Sequence, residues 1–226
     1  MSDTNGRKVI ANLCISLDGR YHGPGGPADF GTFIPYAASD TARDHMARMI
    51  EHATTAVLGR VNAEGFLGFW PSVAGSEEAD PRDRAYAEWL VNVDKVVLST
   101  TLTEAPWERT VIANAPTAEV VAGLKATGSG DILANTSPTV IKALLEADLV
   151  DRLYLVVIPE IVGGGERLFE DGLPATTWAL TEQHTGKLGE MALIYDRARS
   201  PEPASGRRPP DGGPTRCPAA TPRSAR

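Results

Sequence analysis

Short runs rich in Val, Ile and Leu recur along the chain between longer stretches of helical periodicity, and this alternation restricts the fold more than any other feature. The runs that read as strands are 8–15, 54–58, 95–98, 110–112, 131–134, 152–158, 177–183 and 191–196. Helical periodicity occupies 40–52, 82–92, 117–125 and 139–147, with Ser39 or Asp40 as N-cap of the first. Strands alternating with helices predict an α/β domain with a largely parallel sheet. Only the polar stretch 184–190, containing Gly186 and Gly189, separates the last two strands, so the sheet is expected to end in an antiparallel hairpin.

Composition narrows the class. The 226 residues carry 22 basic and 29 acidic side chains, but the final segment 199–226 holds six Arg, seven Pro, three Gly and two acids. That segment has no Leu, Ile, Val, Phe, Tyr, Trp or Met, so it cannot bury enough apolar surface to offset the entropy of ordering it. It is read as a disordered Pro/Arg-rich tail behind a body spanning 1–198, whose net charge is −11. An acidic body argues against nucleic acid as partner. No apolar run reaches the roughly 18 residues of a membrane span, and the polar start has no signal-peptide form, so a cytoplasmic protein without a membrane partner is expected. Cys14 lies in an apolar run and Cys217 in the tail, a usage that fits a reducing compartment.

Several motif matches fail on context. Gly23-Pro24-Gly25-Gly26-Pro27-Ala28 satisfies a dinucleotide pattern formally, but its prolines forbid the helix that the pattern must open. Gly163-Gly164-Gly165-Glu166 lacks the Lys-Ser/Thr pair of a P-loop. His22, His45, His52 and His184 include no pair at metal-ligand spacing with a carboxylate or thiolate partner, so no metal site is expected. The stretch 18–39 is long, rich in Gly and Pro, and carries Tyr21, Phe30, Phe33 and Tyr36; a lid or pocket wall is the preferred reading, a loop packed on the flank the alternative.

The informative positions are the turns that follow the parallel strands, where open α/β sheets bind ligands. Gly59-Arg60, before a short helical segment, offers close backbone approach and a cation for a phosphate. Ser99-Thr100-Thr101 offers three hydroxyls, and Asn135-Thr136-Ser137-Pro138-Thr139 opens a helix whose first N–H groups can face an anion. Together they point to a phosphorylated ligand such as a nucleotide, without separating an oxidoreductase from a binding module.

The order and spacing of several segments resemble the dihydrofolate-reductase-like fold, and within it the C-terminal reductase domain of the bifunctional riboflavin-biosynthesis deaminase/reductase. The matching residues are Ser16-Leu17-Asp18-Gly19, Val57-Leu58-Gly59-Arg60, Gly65-Phe66, Phe69-Trp70-Pro71 and Lys95-Val96-Val97-Leu98-Ser99. They continue through Ser137-Pro138-Thr139, Leu149-Val150-Asp151-Arg152-Leu153 and Pro159-Glu160-Ile161-Val162-Gly163-Gly164-Gly165. The resemblance implies an eight-stranded, mostly parallel sheet with flanking helices, NADPH as cofactor and frequently a homodimer. By position it puts Gly59 and Arg60 at the cofactor phosphates, Ser99 and Thr100 at the adenosine end, and Thr136, Ser137, Pro138 and Thr139 at the pyrophosphate. Ser16, Asp18 and Gly19 would begin a mobile loop over the nicotinamide. Family members commonly have Gly where Thr136 stands, and many have Thr where Asn62 stands. Hydride transfer to a C=N or C=O bond of a small heterocycle is the implied chemistry, with Asp44, or else Asp40 one turn before it, as proton donor, and with Asp29, Phe33 and Trp70 around a planar substrate, core packing being the alternative for the two rings. The alternatives are riboflavin-pathway reduction of a ribosylaminopyrimidine phosphate and a nucleotide-binding module without catalysis.

Overall fold

A computed structural model describes residues 6–199. Within them the order is β1 (Val9–Ser16), α1 (Ile34–Ala37), α2 (Asp40–Ile50), β2 (Ala53–Gly59), α3 (Arg60–Ala74), α4 (Pro81–Asn92), β3 (Asp94–Leu98) and β4 (Thr110–Ala113). Then follow α5 (Thr117–Lys125), β5 (Asp131–Asn135), α6 (Pro138–Glu146), β6 (Arg152–Ile158), β7 (Trp178–Thr185) and β8 (Met191–Arg197). The strands form one eight-stranded sheet in the order β4-β3-β2-β5-β1-β6-β8-β7. Every pairing from β4 to β6 is parallel, and β8 pairs antiparallel with both β6 and β7, giving the expected terminal hairpin.

Alternation along the strands decides which layer each residue joins. From β1, Val9, Ala11, Leu13 and Ile15 face α5 and α6, packing on Val121, Ile141 and Leu144. Ile10 faces the other way, into a layer with Met49 of α2, Leu67 of α3 and Tyr86 and Leu90 of α4. Burial on both faces is why the central strands are continuous apolar runs rather than alternating ones. Cys14, on the second face, packs against the cluster of Phe33, Val156 and Ile158, and burial pushes its thiol up to about 12.

Two elements exceed the sequence expectation. The short helical segment after Gly59 is a helix of 15 residues that runs through Gly65, Gly68 and Pro71. Residues of poor helix propensity conceal it, while burial of Ala63 and Leu67 and packing of Phe66 and Trp70 hold it. The aromatic loop 18–39 contains the single-turn helix α1, and Ser39, one of the two expected caps, accepts a hydrogen bond from the Ala42 amide at 3.2 Å. Lys95, only 2% exposed, donates from Nζ to the carbonyls of Leu90, Val91 and Val93 and so closes the C-terminus of α4. Arg199 donates to the Asp148 carbonyl at 2.9 Å and pairs with Asp151. The rest of the tail, 200–226, lies outside the described residues.

Candidate nucleotide site

Because β1 to β6 run parallel, their C-terminal ends share one edge of the sheet, and Ser16, Gly59, Ser99, Thr136 and Ser137 all fall there. The register sets Gly59 beside Leu98 and Leu98 beside Ala113. A groove of about 410 Å³ opens at the ends of β3 and β4, lined by Arg60, Ser99, Thr100, Thr101, Asn114 and Thr117 among others. The Ser99 hydroxyl is already engaged, accepting from the amides of Thr101 and Leu102, whereas Thr100 is exposed at the rim.

Two helices begin at this edge without a side-chain cap, α3 after Gly59 and α6 after Ser137. The Gly59 amide donates to Ser137 Oγ at 3.2 Å, which ties the two openings together. The two helix openings therefore lie side by side with no side-chain cap on either, an arrangement suited to an anion. Pro138 begins α6, and Thr139 beside it is exposed.

Thr136 has φ 48°, a left-handed conformation that a β-branched residue seldom adopts and that glycine takes without strain. Three contacts hold it: its amide donates to the Asn12 carbonyl at 2.9 Å, its carbonyl accepts from Asn62 Nδ2 at 2.8 Å, and its hydroxyl bonds Asn135 Oδ1 at 3.0 Å. Asn62 thus has a task that a threonine could not perform by the same amide group. Behind the turn, Asn12 Nδ2 donates to Asn135 Oδ1 at 2.7 Å, and Asn135 Nδ2 reaches the buried Tyr86 hydroxyl, so a polar chain crosses the sheet from α4 to β1.

Asp18 fastens two loops. Its carboxylate accepts from Ser16 Oγ, Arg20 Nε and the amides of Val162 and Gly163, at 2.7 to 3.0 Å. The Ser16 hydroxyl bond and the others together hold its pKa well below the usual carboxylate range. Gly19 continues the join by accepting from the Leu168 amide, and Tyr21 donates its hydroxyl to Glu166. At Gly165, φ 91°, a Cβ would run into the His22 carbonyl, so the glycine run that lacks the P-loop pair is a close-packing surface for the 18–39 loop.

The remaining expectations are corrected by where the side chains lie. Asp44 faces outward and pairs with Arg82 at 2.7 Å, in a network that includes Asp40 and Asp80. The α2 side chain that faces the sheet is the next one, His45, 1% exposed and 4.7 Å ring to ring from Tyr154, with neither ring nitrogen hydrogen-bonded. Burial, aided by Arg48, lowers its pKa to about 3. Its signal in the sequence is the spacing Ala42, His45, Met49, which marks the buried face of α2. Asp29, Phe33 and Trp70 are each engaged in a different part of the fold. Asp29 accepts from the Gly25 amide and pins the loop, Phe33 is core with Val156 and Ile158, and Trp70 packs edge-on against Tyr86 at 4.6 Å. The rings are spent on apolar burial, which aromatic residues reward. Among the described residues no three His, Cys, Asp or Glu side chains converge in a way that could hold a metal ion.

A parallel sheet closed by an antiparallel hairpin, with the turns after its parallel strands on one edge, defines a protein of the dihydrofolate-reductase-like class. The profile of the RibD C-terminal domain family matches residues 7–194, and the chain belongs to that family of oxidoreductase domains. Among solved structures it is similar to a putative riboflavin biosynthesis protein from Shewanella sp. PV-4, at 19% identity over 85% of this chain and 99% of that one, TM-score 0.62. A dihydrofolate reductase from Enterococcus faecalis complexed with NADP(H) aligns at 17% identity over 85% and 97%, TM-score 0.51. The deaminase/5-amino-6-(5-phosphoribosylamino)uracil reductase of Thermotoga maritima aligns at 12% identity, TM-score 0.58, over 85% of this chain and 57% of its own. No curated protein matches.

Proposed function

We propose that the chain is an NADPH-dependent reductase that delivers a hydride to a C=N or C=O bond of a small, heterocyclic substrate. The observation that carries this reading is the meeting of two uncapped helix N-termini, α3 and α6, beside a groove with Arg60 at its rim. First-turn amides at Arg60 to Asn62 and at Thr139 and Val140 suit a pyrophosphate, Arg60 suits a further phosphate, and the groove between β3 and β4 suits the adenosine end. When bound, NADPH supplies the reducing equivalent; the chain supplies binding, orientation and the exclusion of water. Asp18 serves the last task by tying 16–20 to 162–163 over the edge where β1 and β6 end.

Family membership favours a second, narrower reading, reduction of the ribosyl side chain of a ribosylaminopyrimidine phosphate. Fluorescence titration of the full chain with NADPH tests the broader one: saturable binding is expected, weakened about tenfold in Arg60→Ala, the loss of one charge-assisted contact. Absence of binding by either NADPH or NADH overturns it. Oxidation of NADPH in the presence of the pyrimidine phosphate, and not with pterins or simple imines, selects the narrower reading.

A further inference from the structure

Arg60 is the single charged side chain among the residues lining the groove, and it occupies the first position of α3. A cation is disfavoured there, because the helix dipole already places partial positive charge at that end. The chain answers with Glu64, one turn on, whose two carboxylate oxygens take Arg60 Nη1 at 2.8 and 3.0 Å. Both side chains are close to half exposed, so the pair lies at the surface rather than in the core, and it engages the one charged side chain that lines the groove.

We infer that Glu64 is a specificity-determining residue: it competes with an anionic ligand group for the Arg60 guanidinium and so weakens discrimination between nucleotides that carry a terminal 2'-phosphate and those that do not. The inference rests on the reading of the groove as a nucleotide site. A phosphate that approaches Arg60 must either displace Glu64 from Nη1 or share the guanidinium with it, and both reduce the gain from the contact. A nucleotide with a free 2'-hydroxyl meets neither penalty. Glu64 therefore lowers the affinity for the phosphorylated ligand more than for the plain one, and it does so through Arg60 alone.

The test is calorimetric titration of the full chain with 2',5'-ADP and 5'-AMP, which probe the groove without nicotinamide chemistry, and in parallel with NADPH and NADH. Glu64→Gln is expected to raise the affinity ratio of 2',5'-ADP to 5'-AMP about three- to fivefold, the range of an exposed ion pair. In an Arg60→Ala background the same substitution is expected to leave the ratio unchanged. An unchanged ratio in Glu64→Gln alone, or an equal rise in both backgrounds, overturns the inference, the second outcome showing a general field in place of competition for Arg60. If 2',5'-ADP fails to bind the unaltered chain, the inference falls. If the short nucleotides bind and respond as expected while NADPH is bound but never oxidised with any acceptor, it is the reductase reading that falls and the groove assignment that stands.

Discussion

At the residue scale the two most telling side chains are His45 and Thr136. An ordinary imidazole takes a proton near pH 6.5, so between that value and about 3 the unfolded chain binds a proton that the folded chain refuses at His45. Acidification through this window therefore lowers stability, by up to about 1.4 kcal/mol per pH unit. Urea midpoints measured from pH 7 to 4.5 are expected to fall for the unaltered chain and to stay nearly flat for His45→Phe. The depressed carboxyls of Asp18 and Asp151 act in the same direction but only below about pH 4, where unfolded carboxylates protonate, so the two effects separate. At Thr136, glycine would relieve the left-handed strain; Thr136→Gly is expected to raise unfolding free energy by about 0.5–1 kcal/mol in denaturant titration, with a loss there contradicting the strain argument. The residue type at position 136 was readable from the sequence, and so was its departure from the family's glycine; its φ was not. The choice between Asp44 and His45 was equally hidden, since neighbours on a helix point about 100° apart and only the packed face tells which one meets the sheet.

Among the elements, strands were far more legible than the helix after Gly59. All eight expected strands are present, and β1, β2, β5 and β6 are apolar, largely buried runs that need no cap or turn chemistry to be recognised, whereas β7 has no buried residue. Helix α3 is written in glycines, aromatics and a proline, and exists because tertiary burial outweighs its propensity. The union of loops 16–20 and 160–168 through Asp18 requires contacts across some 145 residues of chain, which no local pattern encodes. Asp18→Ala is expected to speed hydrogen exchange at the Val162 and Gly163 amides and leave exchange at Ile132 and Leu133, deep in β5, unchanged. Uniform acceleration would instead mean that Asp18 supports the whole fold. Helix α4 offers a second check: Lys95→Met removes three hydrogen bonds from buried carbonyls and is expected to cost about 2 kcal/mol by thermal denaturation.

As a whole molecule the chain joins its first strand to β5 and β6, far along the sequence, so no piece of the sheet closes without the rest. A single cooperative transition is expected, with far-ultraviolet dichroism and tryptophan emission coincident, because Trp89 near β2 and Trp178 in β7 report opposite halves of one sheet. Two separated transitions would divide the parallel part from the hairpin. The thiol of Cys14, set between β5 and β6 in the central strand and held protonated to about 12, adds something of practical use. Thiolate is the reactive form, so an alkylating reagent meets almost none of it while β1 stays paired. In a chain with Cys217→Ser, the rate of modification thus becomes a clock for opening of the middle of the sheet, one that runs in a crude cell extract as readily as in a cuvette.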